Sequence, residues 1–171
     1  MKQTRHLLIA LALGTMLTSC GASVSTATVT GPAAYVDPYI GSGGHGHVFV
    51  GASVPFGAIQ AGPQNIHKGW DWCSGYHHSD SIVIGFAHTH LSGTGCTDMG
   101  DVQIMPYTGE LRSKRGRQED IGGSCSSYYS HDNESVSPGY YSLKMDNGVR
   151  IEMTASTPVS YTHLTLPTIL R

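Results

Sequence analysis

The sequence predicts an all-β domain, an antiparallel β-sandwich, on three observations. Near the C-terminal end, Tyr141, Leu143 and Met145 alternate on one face, Asp146-Asn147-Gly148 turns, and Val149, Ile151, Met153 and Ala155 alternate back. Asn-Gly between two alternating runs is the strongest short-range hairpin signal. Residues 81–90 (SIVIGFAHTH) are apolar on both faces at their start, as an inner strand of a sandwich would be. Finally, charged residues are only 13% of the 171 and glycine is abundant at 22, against roughly 25% charged in a usual soluble domain. No long amphipathic helical run follows the first twenty positions, so a turn-rich β protein is expected over a helix bundle.

The N-terminal segment is read as targeting rather than fold. Lys2 and Arg5 head a short apolar run over 7–17 that is too short to span a bilayer comfortably. The run ends Leu17-Thr18-Ser19-Cys20-Gly21, which is similar to a bacterial lipobox. The reading is a signal peptide over 1–19, then an acylated Cys20 leading a Ser/Thr/Ala/Gly-rich tether over 20–34. The chain is therefore expected to be exported and lipid-anchored to the cell envelope. The plain alternative is an ordinary signal peptide with an incidental cysteine. Cys73, Cys96 and Cys125 remain, an odd number that permits at most one internal disulfide. Cys73 and Cys96 flank the central strand and are the first pairing to test. The formal net charge of −2 gives no reason to expect a nucleic acid partner, and the basic run 112–117 reads as a solvated loop.

The expected domain is 35–157. It begins YVDPYI, where Pro38 limits the segment to an edge or a turn. Residues 41–47 (GSGGHGH) lack the following Lys and helix of a phosphate loop, so these glycines serve backbone geometry instead. Residues 48–50 and 54–60 are short strand candidates, and 63–68 a polar loop. The stretch 69–101 (GWDWCSGYHHSDSIVIGFAHTHLSGTGCTDMGD) holds both tryptophans, four of the ten histidines and two of the four cysteines. Polar and aromatic groups gathered on loops at strand ends point to a site. Residues 101–106 (DVQIMP) are a further strand and 108–127 irregular. The last segment, 158–171 (PVSYTHLTLPTILR), continues no pattern. It is read as a non-native tail, with a genuine edge strand as the alternative.

His45 and His47, like His88 and His90, are spaced i, i+2, which on a strand places two imidazoles on one face, a geometry used by zinc sites. His77, Asp98 or Cys96 could supply a third ligand. Yet no HExxH and no paired CxxC is present, and histidines bonded to loop backbone explain the pattern without metal. Trp70 and Trp72, with Tyr76, offer faces on which sugar rings stack; the alternative buries one of them, Trp72, in the sandwich. Asp71, Asp80, Asp98 and Asp101 sit beside glycines and strand starts and read as turn residues, so no acid–base carboxylate pair stands out.

These motifs, together with SHDNESVSPGYYSLKM over 130–145, resemble the N-terminal domain of glycoside hydrolase family 92 from about Tyr35 to Thr157. The resemblance implies a calcium-dependent, inverting, exo-acting α-mannosidase of a two-domain kind. Its N-terminal β-sandwich would pack on a C-terminal (α/α)6 barrel that holds the catalytic carboxylates and most calcium ligands and lies beyond this sequence. The implied partners are a mannose-containing glycan and that barrel. By position in the motif, Trp70, Trp72, His77, His88 and His90 are the substrate-contacting candidates, and no catalytic residue is expected here. The competing expectation is a free-standing carbohydrate-binding or metal-binding sandwich module.

Overall fold

The computed structural model describes residues 29–93, 100, 102–110, 112, 114, 124–157 and 159–167. The signal segment, Cys20, Cys96, Asp98 and Asp101 lie outside the described residues, and with them the lipid-anchor and disulfide readings. The fold is all-β as expected, two four-stranded antiparallel sheets facing each other as a sandwich. In the first sheet β2 (Ile82–Ala87) is central, with β1 (Gly62–Asn65), β3 (Gln103–Ile104) and β4 (Ser127–Tyr128) paired to it. The second sheet runs in simple order β5 (Glu134–Ser137), β6 (Tyr140–Lys144), β7 (Arg150–Ser156) and β8 (Val159–Thr165).

The hairpin forms where the alternation places it. Tyr141 pairs with Met153 and Leu143 with Ile151, and all four side chains are buried. Burying each such side chain stabilises by ~1.5–3 kcal/mol. The turn closes by a Gly148 N–H to Met145 carbonyl bond at 3.0 Å, with Gly148 at φ 85°. A type I turn followed by a left-handed residue is a three-residue hairpin loop, and that position favours glycine. The hairpin's inner face meets β2 across the sandwich, with the Phe86 and Tyr141 ring centres 6.4 Å apart. Val50, Ala52, Ala61, Tyr76, Val83 and Tyr129 complete the core on that side.

Four expectations about the strands need correction, and the last segment takes the edge-strand form that was its alternative. Residues 48–50 and 54–60 are not strands: only an isolated bridge joins Ala52 to Ala61. The first strand lies instead in the segment read as a polar loop. Pro63 is tolerated there because β1 is a sheet edge, and Asn65 is buried because its side chain is used, donating to the Ile82 carbonyl at 2.8 Å. The central strand ends at Ala87 rather than at residue 90, so His88 and His90 are not successive residues of one strand face. The 101–106 strand shrinks to Gln103–Ile104. Residues 159–165 form β8, in continuous register with β7 from Ser156↔Val159 to Arg150↔Thr165, although Val159, Tyr161 and Leu164 stay exposed.

Candidate functional site

The glycine loop and the tryptophan motif fold against each other at one end of the first sheet. The loop turns tightly, with the Val48 N–H donating to the Gly41 carbonyl at 3.1 Å. A Cβ on Gly46 would stand 2.1 Å from that same carbonyl oxygen, so only glycine fits. The loop leaves His47 at φ 54°, the one positive-φ residue other than glycine among those described. Such a conformation is costly for a side-chain-bearing residue and persists where the surroundings over-determine it. His47 is nevertheless buried.

His47 is held by Asp71. Asp71 sits in the 3₁₀ turn Trp70–Trp72 and accepts on one oxygen from two imidazoles, His45 Nδ1 at 2.6 Å and His47 Nε2 at 3.3 Å. The His45 hydrogen bond, reinforced by His47, holds the Asp71 carboxyl below its ordinary range against an opposing push from desolvation. Trp70 stands beside this cluster, 60% exposed. Its ring lies 4.3 Å from the His47 ring in an edge-on arrangement and 6.0 Å from the His45 ring.

Trp72 points into a second cluster. Its indole Nε1 donates to Asp80 Oδ2 at 2.9 Å, and Lys68 Nζ lies 3.0 Å from the same oxygen and 5.7 Å over the indole ring. The other Asp80 oxygen accepts the Ser81 and Ile82 backbone N–H groups at 2.9 and 3.2 Å. Asp80 thus ties the indole to the start of β2. On the ring, Trp72 stacks with His77 at 4.3 Å and 21°. His77 Nε2 donates to the Gly44 carbonyl at 3.2 Å, while Nδ1 accepts from the Ser79 N–H at 3.3 Å, and its own N–H donates to Asn65 Oδ1 at 2.9 Å.

The five sequence candidates therefore occupy different settings. Trp70 is open to solvent, and Trp72 is half-buried. His77 is buried with both ring nitrogens engaged. His90 is 2% exposed, stacked on Phe49, with Nδ1 donating to the Gln60 carbonyl at 2.8 Å; burial pushes its pKa down and keeps it neutral. His88 is half-buried, donating from Nδ1 to the Val102 carbonyl and accepting at Nε2 from the Thr162 hydroxyl.

One residue was missed entirely. Glu134, at the start of β5, has a fully buried side chain. It accepts from Tyr141 OH at 2.7 Å, Tyr76 OH at 3.0 Å and His131 Nδ1 at 2.7 Å. His131 in turn stacks on His78 at 4.4 Å. Burial first, and the Glu134 charge second, push Tyr39, Tyr76 and Tyr141 well above the ordinary phenol range. No local pattern marks Glu134, because two of its three partners, Tyr76 and Tyr141, come from other segments.

Among the described residues no three of His, Cys, Asp and Glu converge as a metal site. Calcium needs six to eight oxygen ligands, whereas Asp71, Asp80 and Glu134 already accept from imidazole, indole, ammonium and phenol groups. These residues do not fit that ion.

Comparison with known proteins gives the arrangement a family. The model of the glycosyl hydrolase family 92 N-terminal domain matches residues 35–169. A family GH92 α-mannosidase from Bacteroides thetaiotaomicron, solved with mannoimidazole, is 41% identical with a TM-score of 0.75, over 79% of this chain and 18% of that one. The GH92 family glycosyl hydrolase ccman5 is 26% identical with a TM-score of 0.68, over 79% of this chain and 19% of that one. An uncharacterized secreted glycosidase from Arthroderma benhamiae is 31% identical over 142 residues, 78% of this chain and 17% of that protein. The chain thus spans under a fifth of these relatives' length. With two facing sheets and the tryptophan motif at their end, this chain belongs to glycoside hydrolase family 92 and carries its N-terminal domain.

Proposed function

We propose that this chain is the N-terminal domain of an exported, lipid-anchored α-mannosidase that removes terminal mannose from glycans, of exo-acting, inverting, α-1,2 type. The domain lends a wall to the substrate pocket. A second domain, the (α/α)6 barrel implied by the family resemblance, supplies the acid–base carboxylate pair and the calcium. The observation that carries this reading is the contrast at the site. An exposed aromatic, Trp70, stands where a sugar can reach it, while the neighbouring carboxylates Asp71 and Asp80 and the buried Glu134 are all engaged as internal acceptors. Inverting hydrolysis needs two carboxyl groups across the scissile bond with room for a water, and these three do not offer that.

The test begins with the gene. Several hundred codons of helical-barrel pattern should follow residue 157 in the source DNA; a true stop codon near residue 171 in clean sequence would favour the free-standing binding module. The full-length protein should release mannose from α-mannosides, lose turnover on chelation of calcium, and lose about 2- to 12-fold in kcat/KM on Trp70→Ala, the removal of ~0.5–1.5 kcal/mol of ring stacking. A full-length enzyme that is inert on every α-mannoside would sink the proposal.

A further inference from the structure

The geometry points to His45 as a sugar-contacting residue. Asp71 orients its imidazole so that Nε2, the ring nitrogen turned away from the carboxylate, bonds a hydroxyl of the pyranoside lying against Trp70. This rests on the mannosidase reading above and adds to it a named polar contact with a positioning residue behind it.

The chemistry follows from the hydrogen bonds. An ionised carboxylate only accepts, so at 2.6 Å from Asp71 Oδ1 the His45 Nδ1 carries the proton. In the neutral ring Nε2 then presents a lone pair, and no described residue bonds it. The side chain is 79% exposed, so the acceptor faces solvent beside the open Trp70 ring. An apolar face next to one oriented acceptor is what a pyranoside presents a match for, with C–H groups on one face and hydroxyls at the rim. Stability offers a poor alternative reason for the arrangement. An ion pair on so exposed a histidine contributes little, yet the loop holds His47 at φ 54° to place a second imidazole on the same carboxylate oxygen. The two imidazoles bond one carboxylate oxygen, and among the described residues no group of side chains is arranged to hold a metal ion, so the cluster is suited to orienting a ring rather than binding a metal.

The experiment uses the full-length enzyme and α-linked mannobiosides deoxygenated singly at each hydroxyl. On the parent disaccharide His45→Ala should lower kcat/KM about 3- to 12-fold, the loss of one neutral hydrogen bond, and His45→Gln should recover part of it. One deoxy substrate should be indifferent to His45→Ala, because the bonded hydroxyl is already gone. Asp71→Ala should lower kcat/KM on the parent by a similar factor and show the same indifference. His45 is exposed, so its loss leaves folding intact. Wild-type kcat/KM for His45→Ala, or an equal loss on every deoxy substrate, would overturn the assignment while the mannosidase reading stands. An inactive wild-type enzyme would overturn that reading and this one with it.

Discussion

Replacing Glu134 by Gln tests whether this buried carboxylate is a hub of the fold. It accepts three short hydrogen bonds, from Tyr141 and Tyr76 hydroxyls and His131 Nδ1, with its side chain fully buried. Bonds to a charged group contribute ~1.5–3 kcal/mol and neutral ones ~0.5–1.5. Gln keeps the shape but not the charge, so each bond weakens by ~1 kcal/mol and the total comes to ~3 kcal/mol. The two oxygens are also unequal. Two donors meet Oε2 and one meets Oε1, so an amide oxygen placed at the Oε2 position turns its NH2 toward Tyr141, whose hydroxyl must then reverse and accept. The measurement is the urea midpoint at constant slope. With a slope of ~1–3 kcal/mol/M the midpoint should fall by ~1–3 M. A fall under ~0.3 M would show that Glu134 holds nothing together and that its three partners are placed by packing alone.

Two further outcomes follow from the same geometry. Asp80→Asn turns an amide NH2 toward the Trp72 indole N–H when its oxygen keeps the Ser81 and Ile82 amides; stability should fall by ~2–3 kcal/mol. In a Trp70→Phe background, where Trp72 is the sole remaining tryptophan of the two, its emission should shift to the red, and an unmoved spectrum would refute the tie. Alkaline stability should also fall: Tyr39, Tyr76 and Tyr141 are raised in the folded state, so the folded chain keeps protons the unfolded chain loses above pH ~10. The stabilisation is complete below that pH and is lost as pH rises toward the folded values, with absorbance at 295 nm tracking unfolding rather than preceding it.

Legibility in the sequence followed locality. The β6–β7 hairpin was legible because its period and its turn lie within fifteen residues, and Tyr141, Leu143, Ile151 and Met153 all face inward as the alternation requires. Strands β1, β4 and β5 were not, because polar side chains occupy them for non-local reasons. Asn65 bridges His77 and Ile82, and Glu134 gathers Tyr76, His131 and Tyr141. His88 and His90 were read onto one strand face because SIVIGFAHTH shows no break, yet β2 stops at Ala87. The motif 69–101 did mark the right neighbourhood. What it could not convey was which side chains are already engaged. His77 reads like a ligand in sequence, but Gly44 and Ser79 take both of its ring nitrogens.

The division between engaged and open groups supports the proposed role as a pocket wall. A general acid or base must exchange protons with substrate and so needs a carboxyl within reach of it. Asp80 is bound by Trp72, Lys68 and two backbone amides, and Glu134 by phenols and an imidazole. Asp71, the most open of the three, is held ionised by two histidines, which favours an orienting role over proton donation. These carboxylates fix the rings around them: Asp80 sets Trp72, Asp71 sets His45 and His47 beside Trp70, and Glu134 joins Tyr76 of the motif to Tyr141 of the second sheet. Aromatic and imidazole groups held by engaged carboxylates lose little freedom when a ligand arrives, which is the advantage of preorganisation. The geometry of Trp70 and His45 is thus determined by the sandwich itself, before any second domain is brought to it.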